Sequence, residues 1–371
     1  MKRRFFGWMW VVGWVLVSGG VVAQEEYTLE EKIGQLLLLG FRGLELSADS
    51  EVLEHIRLGK VGGIILFDYD VINKEFVRNI SSAEQVRSLN GVLQDAARIP
   101  LFVSVDQEGG RVLRLKPRNG FPAIPSQRYL GELDNVDSTR YYAALNAKNM
   151  GDLGFNLNFA PVVDLNLVTE SGVIGYLERS FSADPEVVAR HAGIVAEESY
   201  RQGVIPVLKH FPGHGSARDD SHYGITDVTD TWSVEELKPY RLLFDAGYKG
   251  GVMTAHVFNK NIDPAYPATL SAAAMRLLRE DLGYSGVVFS DDMHMKAVSE
   301  QYGLEEAILL SLAAGVDVFC FGNNLLYDAA IPDKFRKIVL DGIAAGRVSR
   351  DRIEVAFARI MALKKAYGII K

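Results

Sequence analysis

The chain is poorest in cysteine, with one in 371 residues, Cys320. A single thiol excludes an intrachain disulfide framework and any cysteine-cluster metal site. It lies in the apolar run Val316–Phe321 and reads as a buried packing residue. Basic charge is also short. A net charge of −7 argues against a general nucleic-acid binder, which needs a basic face. No G-x-G-x-x-G opens a helix after the first apolar run, which weakens a dinucleotide-binding open sheet. No G-x-S-x-G elbow exists, and Ser221 sits between Asp220 and His222, where neither neighbour turns easily onto it. Serine acyl transfer is therefore disfavoured. There is no low-complexity tract, proline-rich linker or long repeat.

What is present begins with a separable N-terminus. Lys2-Arg3-Arg4 is a basic patch, Phe5 to Ala23 carries no charge, and Val21-Val22-Ala23 precedes an acidic start. This pattern predicts a signal peptide over residues 1–23, cleaved after Ala23, and a mature catalytic domain over residues 24–371. The alternative is an uncleaved membrane anchor, since the uncharged stretch nearly spans a bilayer. Either way the expectation is a protein exported to the periplasm or beyond the cell, touching a membrane only if the segment stays attached.

Beyond it, eight short apolar runs alternate with amphipathic segments. The runs are Gln35–Phe41, Gly62–Phe67, Leu101–Val105, Asn156–Val163, Val204–Leu208, Gly251–Ala255, Gly286–Phe289 and Val316–Phe321. Helical patterns between and after them include Ala83–Ala97, Ser138–Met150, Glu186–Gln202, Val234–Ala246, Ala272–Leu282, Leu304–Ala314, Arg336–Ala345 and Arg350–Tyr367. Eight doubly buried strands, each followed by a helix, predict a single-domain (β/α)8 TIM-type barrel. An open doubly wound sheet is the structural runner-up. Leu44–Leu58 and Phe121–Asp137 read as insertions without a usable motif.

The residues after each run strengthen the barrel. The third run leads into Asp106-Gln107-Glu108-Gly109-Gly110-Arg111, and the fourth ends in Asp164. The fifth is followed by Lys209-His210, the sixth by His256 and the seventh by Ser290-Asp291-Asp292. Barrel enzymes carry their chemistry at these C-terminal strand ends. Five histidines, His210, His214, His222, His256 and His294, fall at or just beyond them, whereas His55 and His191 lie in helical patterns and read as surface or packing residues.

The densest stretch is Lys209-His210-Phe211-Pro212-Gly213-His214-Gly215, followed by Asp220-Ser221-His222. The strand is expected to become a loop at Lys209. Pro212 and Gly213 prevent a helical turn that would pair His210 with His214 on a metal, and Lys209 would oppose a cation. Glycoside hydrolysis fits better, because it needs a carboxylate and a proton donor on opposite sides of the scissile bond. Asp291 would be that carboxylate. His222 would be the donor, with Asp220 fixing its tautomer and raising its pKa. Asp106, Arg114, Arg179, Lys209 and His210 would bind sugar hydroxyls. Gly213, Gly215 and Gly224 are expected to act as hinges of a mobile loop carrying the acid.

Residues 209–215 with Asp220-Ser221-His222 resemble the signature of family 3 glycoside hydrolases, specifically the single-domain NagZ-type β-N-acetylglucosaminidases. Val105–Val112, Phe159–Asp164, Arg179-Ser180-Phe181 and Ser290–Met293 match in the family's order, so the likeness runs from about Leu29 to the C-terminus. The resemblance implies a retaining exo-enzyme for terminal β-linked N-acetylglucosamine, typically on peptidoglycan fragments. It implies Asp291 as nucleophile, His222 and Asp220 as the acid/base pair, and Asp106, Arg114, Arg179, Lys209 and His210 as sugar ligands. A monomer without cofactor or metal is expected, with a muropeptide or other GlcNAc-containing glycan as its partner. His294 departs from the small polar residue common beside the nucleophile. Export departs from the cytoplasmic members and points to turnover products outside the membrane. Phosphorolysis, β-glucosidase activity and a non-enzymatic sugar-binding barrel are the alternatives.

Overall fold

The computed structural model describes residues 27–371, except 170–171, 219–223 and 225. Both the segment read as a signal peptide and the residues Asp220 and His222 lie outside the described residues.

Eight parallel strands close into a barrel. They are β1 (Leu37–Gly40), β2 (Gly63–Leu66), β3 (Phe102–Val105), β4 (Leu157–Asn158), β5 (Ile205–Phe211), β6 (Gly251–Thr254), β7 (Val288–Asp292) and β8 (Val318–Phe321). Each pairs with its sequence neighbours and β8 pairs back onto β1, with Leu37 opposite Phe319. All eight apolar runs thus become barrel strands, and the (β/α)8 architecture replaces the open sheet. Their continuous apolar character follows from burial on two faces, one toward the barrel axis and one toward the helices.

Ring contacts locate the interior. The Phe102 ring on β3 meets Phe289 on β7 at 6.0 Å, and Phe159 meets Phe289 at 5.9 Å. β3 and β7 are not neighbours in the strand order, so these rings cross the barrel axis and fill it. The N-terminal end is closed by Lys364, which is wholly buried and donates to Gln35 Oε1, Gly62 O and Pro100 O. Burial without a carboxylate partner pulls its ammonium down to about 7.

Two strands differ from the sequence reading. β5 runs on through Lys209 and His210, so the strand itself carries both side chains where a loop was expected. The fourth run supplies only the two residues of β4, because Pro161 has no N–H for a ladder; Val162 makes a separate bridge to Lys209. The helical pattern Ala272–Leu282 divides into an α-helical turn, Ala272–Arg276, and a π-helical turn, Leu277–Asp281. The region 121–137 holds a helix, Gln127–Leu133, capped by Ser126, and the start of the helix Val136–Asp152. His55 and His191 are both buried packing residues, the latter stacked on Phe181 and hydrogen-bonded to Thr139.

Candidate active site

The tail of β3 is shaped by a tight hairpin, Gln107–Gly109 against Val112–Leu113. Its turn needs Gly109 and Gly110, at φ 111° and 57°, and a Cβ on Gly109 would lie 2.2 Å from Pro125 O. The Gln107 side-chain oxygen takes the amides of Arg114 and Leu115 at 3.0 and 2.9 Å. Its backbone is clamped to Asn158 through bonds of 3.0 and 3.1 Å. The hairpin is thereby fixed to β4, and it holds Asp106, Glu108 and Arg114 at the barrel mouth.

These carboxylates meet the end of β5. Lys209 Nζ donates to Asp106 Oδ1 at 2.8 Å and lies 2.7 Å from Glu108 Oε1. Arg179 grips Glu108 with two parallel bonds of 2.8 and 2.7 Å. Arg114 Nη2 stands 3.8 Å from Asp106 Oδ2. Burial pushes the Asp106 carboxyl up, but Lys209 and Arg114 override it and hold it at about 2. The same contest, decided by Arg179 and Lys209, keeps Glu108 below the usual carboxylate range. Lys209 is raised by its two acids against the penalty of burial. Asp106 is therefore a fixed anion and Lys209 a fixed cation, suited to accepting from and donating to hydroxyl groups.

His210 is oriented from both ring nitrogens. Arg179 Nη2 lies 3.3 Å from Nε2. Arginine can only donate, so Nε2 accepts and the proton resides on Nδ1, 2.7 Å from Asp164 Oδ2. Burial, with Arg179 beside it, drives the imidazole well below its usual pKa. His210 is a neutral ring held in one tautomer. Asp164, fully buried, also accepts the backbone amides of His210 and His214, the latter at 2.8 Å.

Arg179 owes its placement to the helix read from sequence as an insertion without a motif. Gln127 Nε2 donates to the carbonyls of Arg179 and Val162 at 2.6 and 2.9 Å, and Ser180 Oγ donates to Asp164 O at 2.6 Å. Asp291 is the penultimate residue of β7, half-buried, and its Oδ1 accepts the Asp292 amide at 2.8 Å. Its charge acts on the rings of both His210 and His214. Together with Asp106 it also bears on the thiol of Cys320 beneath, which burial pushes far up and leaves inert. Asp106, Arg114, Arg179, Lys209, His210 and Asp291 thus share the C-terminal mouth.

Four further residues structure this mouth although sequence reasoning gave them no role: Glu108, Gln127, Asp164 and Glu236. Glu108 and Asp164 stood inside the strand-end motifs, so their position was the available signal. Glu236 lies in an unremarkable amphipathic segment. Two of the glycines expected to act as hinges are closely packed here. A Cβ on Gly215 would meet Leu165 O at 1.9 Å, and one on Gly213 would meet Glu236 Cβ at 2.6 Å. Both glycines allow close backbone approach, so they are packed rather than free. His294 is buried edge-on against Phe321 at 5.1 Å.

Residues 28–363 match the model of the glycosyl hydrolase family 3 N-terminal domain. The chain belongs to glycosyl hydrolase family 3. It is 34% identical to "Beta-hexosaminidase LpqI" of Mycobacterium tuberculosis, covering 90% of this chain and 82% of that one. It is 36% identical to a beta-hexosaminidase of Tolumonas auensis, over 80% of this chain and 85% of the relative. A solved family 3 beta-N-acetylglucosaminidase from Paenibacillus sp. FPU-7 superposes with a TM-score of 0.84 at 34% identity. That match covers 93% of this chain but 63% of the other, which is thus substantially longer. A beta-N-acetylhexosaminidase structure from Beutenbergia cavernae superposes at a TM-score of 0.81 with 27% identity, and 99% of it is covered. As a family 3 hydrolase, the chain presents at its barrel mouth the residue set that the sequence singled out, insofar as those residues are described.

Proposed function

We propose that this chain is a retaining exo-β-N-acetylglucosaminidase. Its β-hexosaminidase class is supported by the relatives named above. The finer mechanism is supported by one observation: Asp291 lies at the end of β7, where its charge acts on the rings of His210 and His214 beside the Asp106, Lys209, Glu108 and Arg179 network.

In this mechanism the non-reducing sugar sits in the mouth with its hydroxyls on Asp106, Lys209, Arg114 and Arg179. His210, neutral and fixed, presents its face to the ring. Asp291 attacks the anomeric carbon as the glycosidic C–O bond breaks, giving a glycosyl ester with inverted configuration. His222, oriented by Asp220, gives its proton to the departing oxygen and then takes one from the incoming water. Water displaces Asp291, and the second inversion restores the β configuration. The polar network costs no reorganisation at the moment of reaction, because its charges are already paired and buried.

Peptidoglycan turnover products outside the membrane are the proposed natural substrates. This rests on the pattern of the first 23 residues, with cleavage after Ala23. One chain holds the full residue set, so a monomer is the proposed working unit.

The test is nitrophenol release from its β-N-acetylglucosaminide and its β-glucoside by the wild type and by Asp291→Asn, with and without phosphate. Strong preference for the N-acetyl substrate, abolished by the substitution and indifferent to phosphate, is the expected result. Stimulation by phosphate would replace hydrolysis with phosphorolysis, and turnover surviving in Asp291→Asn would remove the nucleophile assignment.

A further inference from the structure

Glu236 belongs to a single 3-10 turn, Val234–Leu237, immediately before the helix Lys238–Asp245. Its side chain is wholly buried. Oε2 accepts the amide of Gly215 at 2.9 Å, while Oε1 has no hydrogen-bond partner among the described residues. Two more contacts join the same segments. Trp232 Nε1 donates to Pro212 O at 3.0 Å, and Gly213, at φ 123°, packs its α-carbon directly on the Glu236 side chain. Asp164 takes the amides of His210 and His214 in the same stem. The stem 210–215 is therefore gripped by two buried carboxyl groups.

A buried carboxyl without a cation is costly, and a packing role alone would favour an apolar side chain. The titratable groups about it, Asp164 and Tyr240, bring no positive charge. Burial accordingly raises Glu236 to about 7. What the group does is fix the direction in which the backbone leaves β5. The far end of the same loop is tied separately, by Thr226–Asp227 pairing in parallel with Val257–Phe258. Between these two anchors lie Asp220 and His222.

We propose that Glu236 is a positioning residue for the acid/base loop. Its carboxyl holds Gly215 so that the chain leading to Asp220 and His222 starts from one fixed place. The proposal rests on the reading of His222 as proton donor.

The leaving group separates a positioning role from a merely structural one. A dinitrophenolate departs without a proton, whereas the sugar alkoxide released from a GlcNAc disaccharide needs one. In Glu236→Ala, kcat/KM on the disaccharide should fall about 10- to 100-fold, and on dinitrophenyl β-N-acetylglucosaminide within about 3-fold. Glu236→Gln retains an amide oxygen for the Gly215 amide and should recover most of the disaccharide activity. Gly213→Ala, whose methyl would push Glu236 off the stem, should reproduce the split from the other side. The dinitrophenyl activity doubles as proof of folding. His222→Ala is measured beside them. If His222→Ala shows the split and Glu236→Ala does not, or loses both activities equally, the positioning role is overturned while the acid/base reading stands. If His222→Ala shows no split, both are overturned.

Discussion

Asp106 and Lys209, 103 residues apart in the chain, meet at 2.8 Å where the ends of β3 and β5 converge. The ammonium is also shared with Glu108, which in turn is forked by Arg179. Two carboxylates thus meet three cations in this site, since Arg114 also stands 3.8 Å from Asp106, and removing any one upsets the balance of charge.

Lys209→Met should destabilise the protein strongly, by about 3–5 kcal/mol, because two acids would then share only Arg179 on Glu108 and the more distant Arg114 on Asp106. Adding Glu108→Gln should return part of that loss, since one of the stranded charges is removed. Thermal or urea unfolding of the single and double variants measures both effects. Activity should stay lost in each, as Asp106 no longer has its hydrogen bond from Lys209.

Arg179→Lys keeps the charge and loses the fork. The lysine can satisfy only one Glu108 oxygen at a time and cannot also reach His210 Nε2 in the same geometry. A 10- to 100-fold fall in kcat/KM is expected, with unfolding affected less than in Lys209→Met. Steady-state kinetics on the β-N-acetylglucosaminide checks it.

The pH dependence of stability has a separable contribution from His294. Burial lowers its imidazole to about 4 in the folded chain, against about 6.5 when unfolded. Between those values the unfolded state binds a proton and the folded state does not. Stability from this residue is thus present above pH 6.5 and is lost as the pH falls toward 4, by up to about 1.4 kcal/mol per pH unit. His294→Gln should flatten the acid side of the stability curve by that slope. Denaturant unfolding at half-unit steps from pH 7 to 4 reads the difference.

Much of this was legible in the amino-acid sequence, for physical reasons. Runs such as Gly62–Phe67 and Leu101–Val105 are buried on two faces, so their apolar character is unbroken, and the barrel follows. Chemistry gathers at strand ends because β3, β5 and β7 project them to one mouth, and that made Asp106, Lys209, His210 and Asp291 visible as a set. Strand limits were less legible: nothing local marks Lys209 and His210 as strand residues, since Lys209 bridges the distant Val162 and the pairing with β6 shifts register between Leu208 and Phe211. Gln127 and Glu236 were invisible for a related reason. Each acts through a backbone atom of a distant segment, and such a contact leaves no spacing pattern in the residues that make it. The close approach at Gly213 and Gly215 was not legible, because conformational freedom and close approach call for the same residue.

The central claim is that Asp291 becomes covalently glycosylated during turnover. A 5-fluoro N-acetylglucosaminyl fluoride slows the second step more than it slows the first, so the intermediate should accumulate. Intact-protein mass spectrometry should then show one added glycosyl unit, and peptide mapping should place it on the segment containing Asp291. A label on another residue, or full turnover of an inverting product with no label at all, would contradict the account.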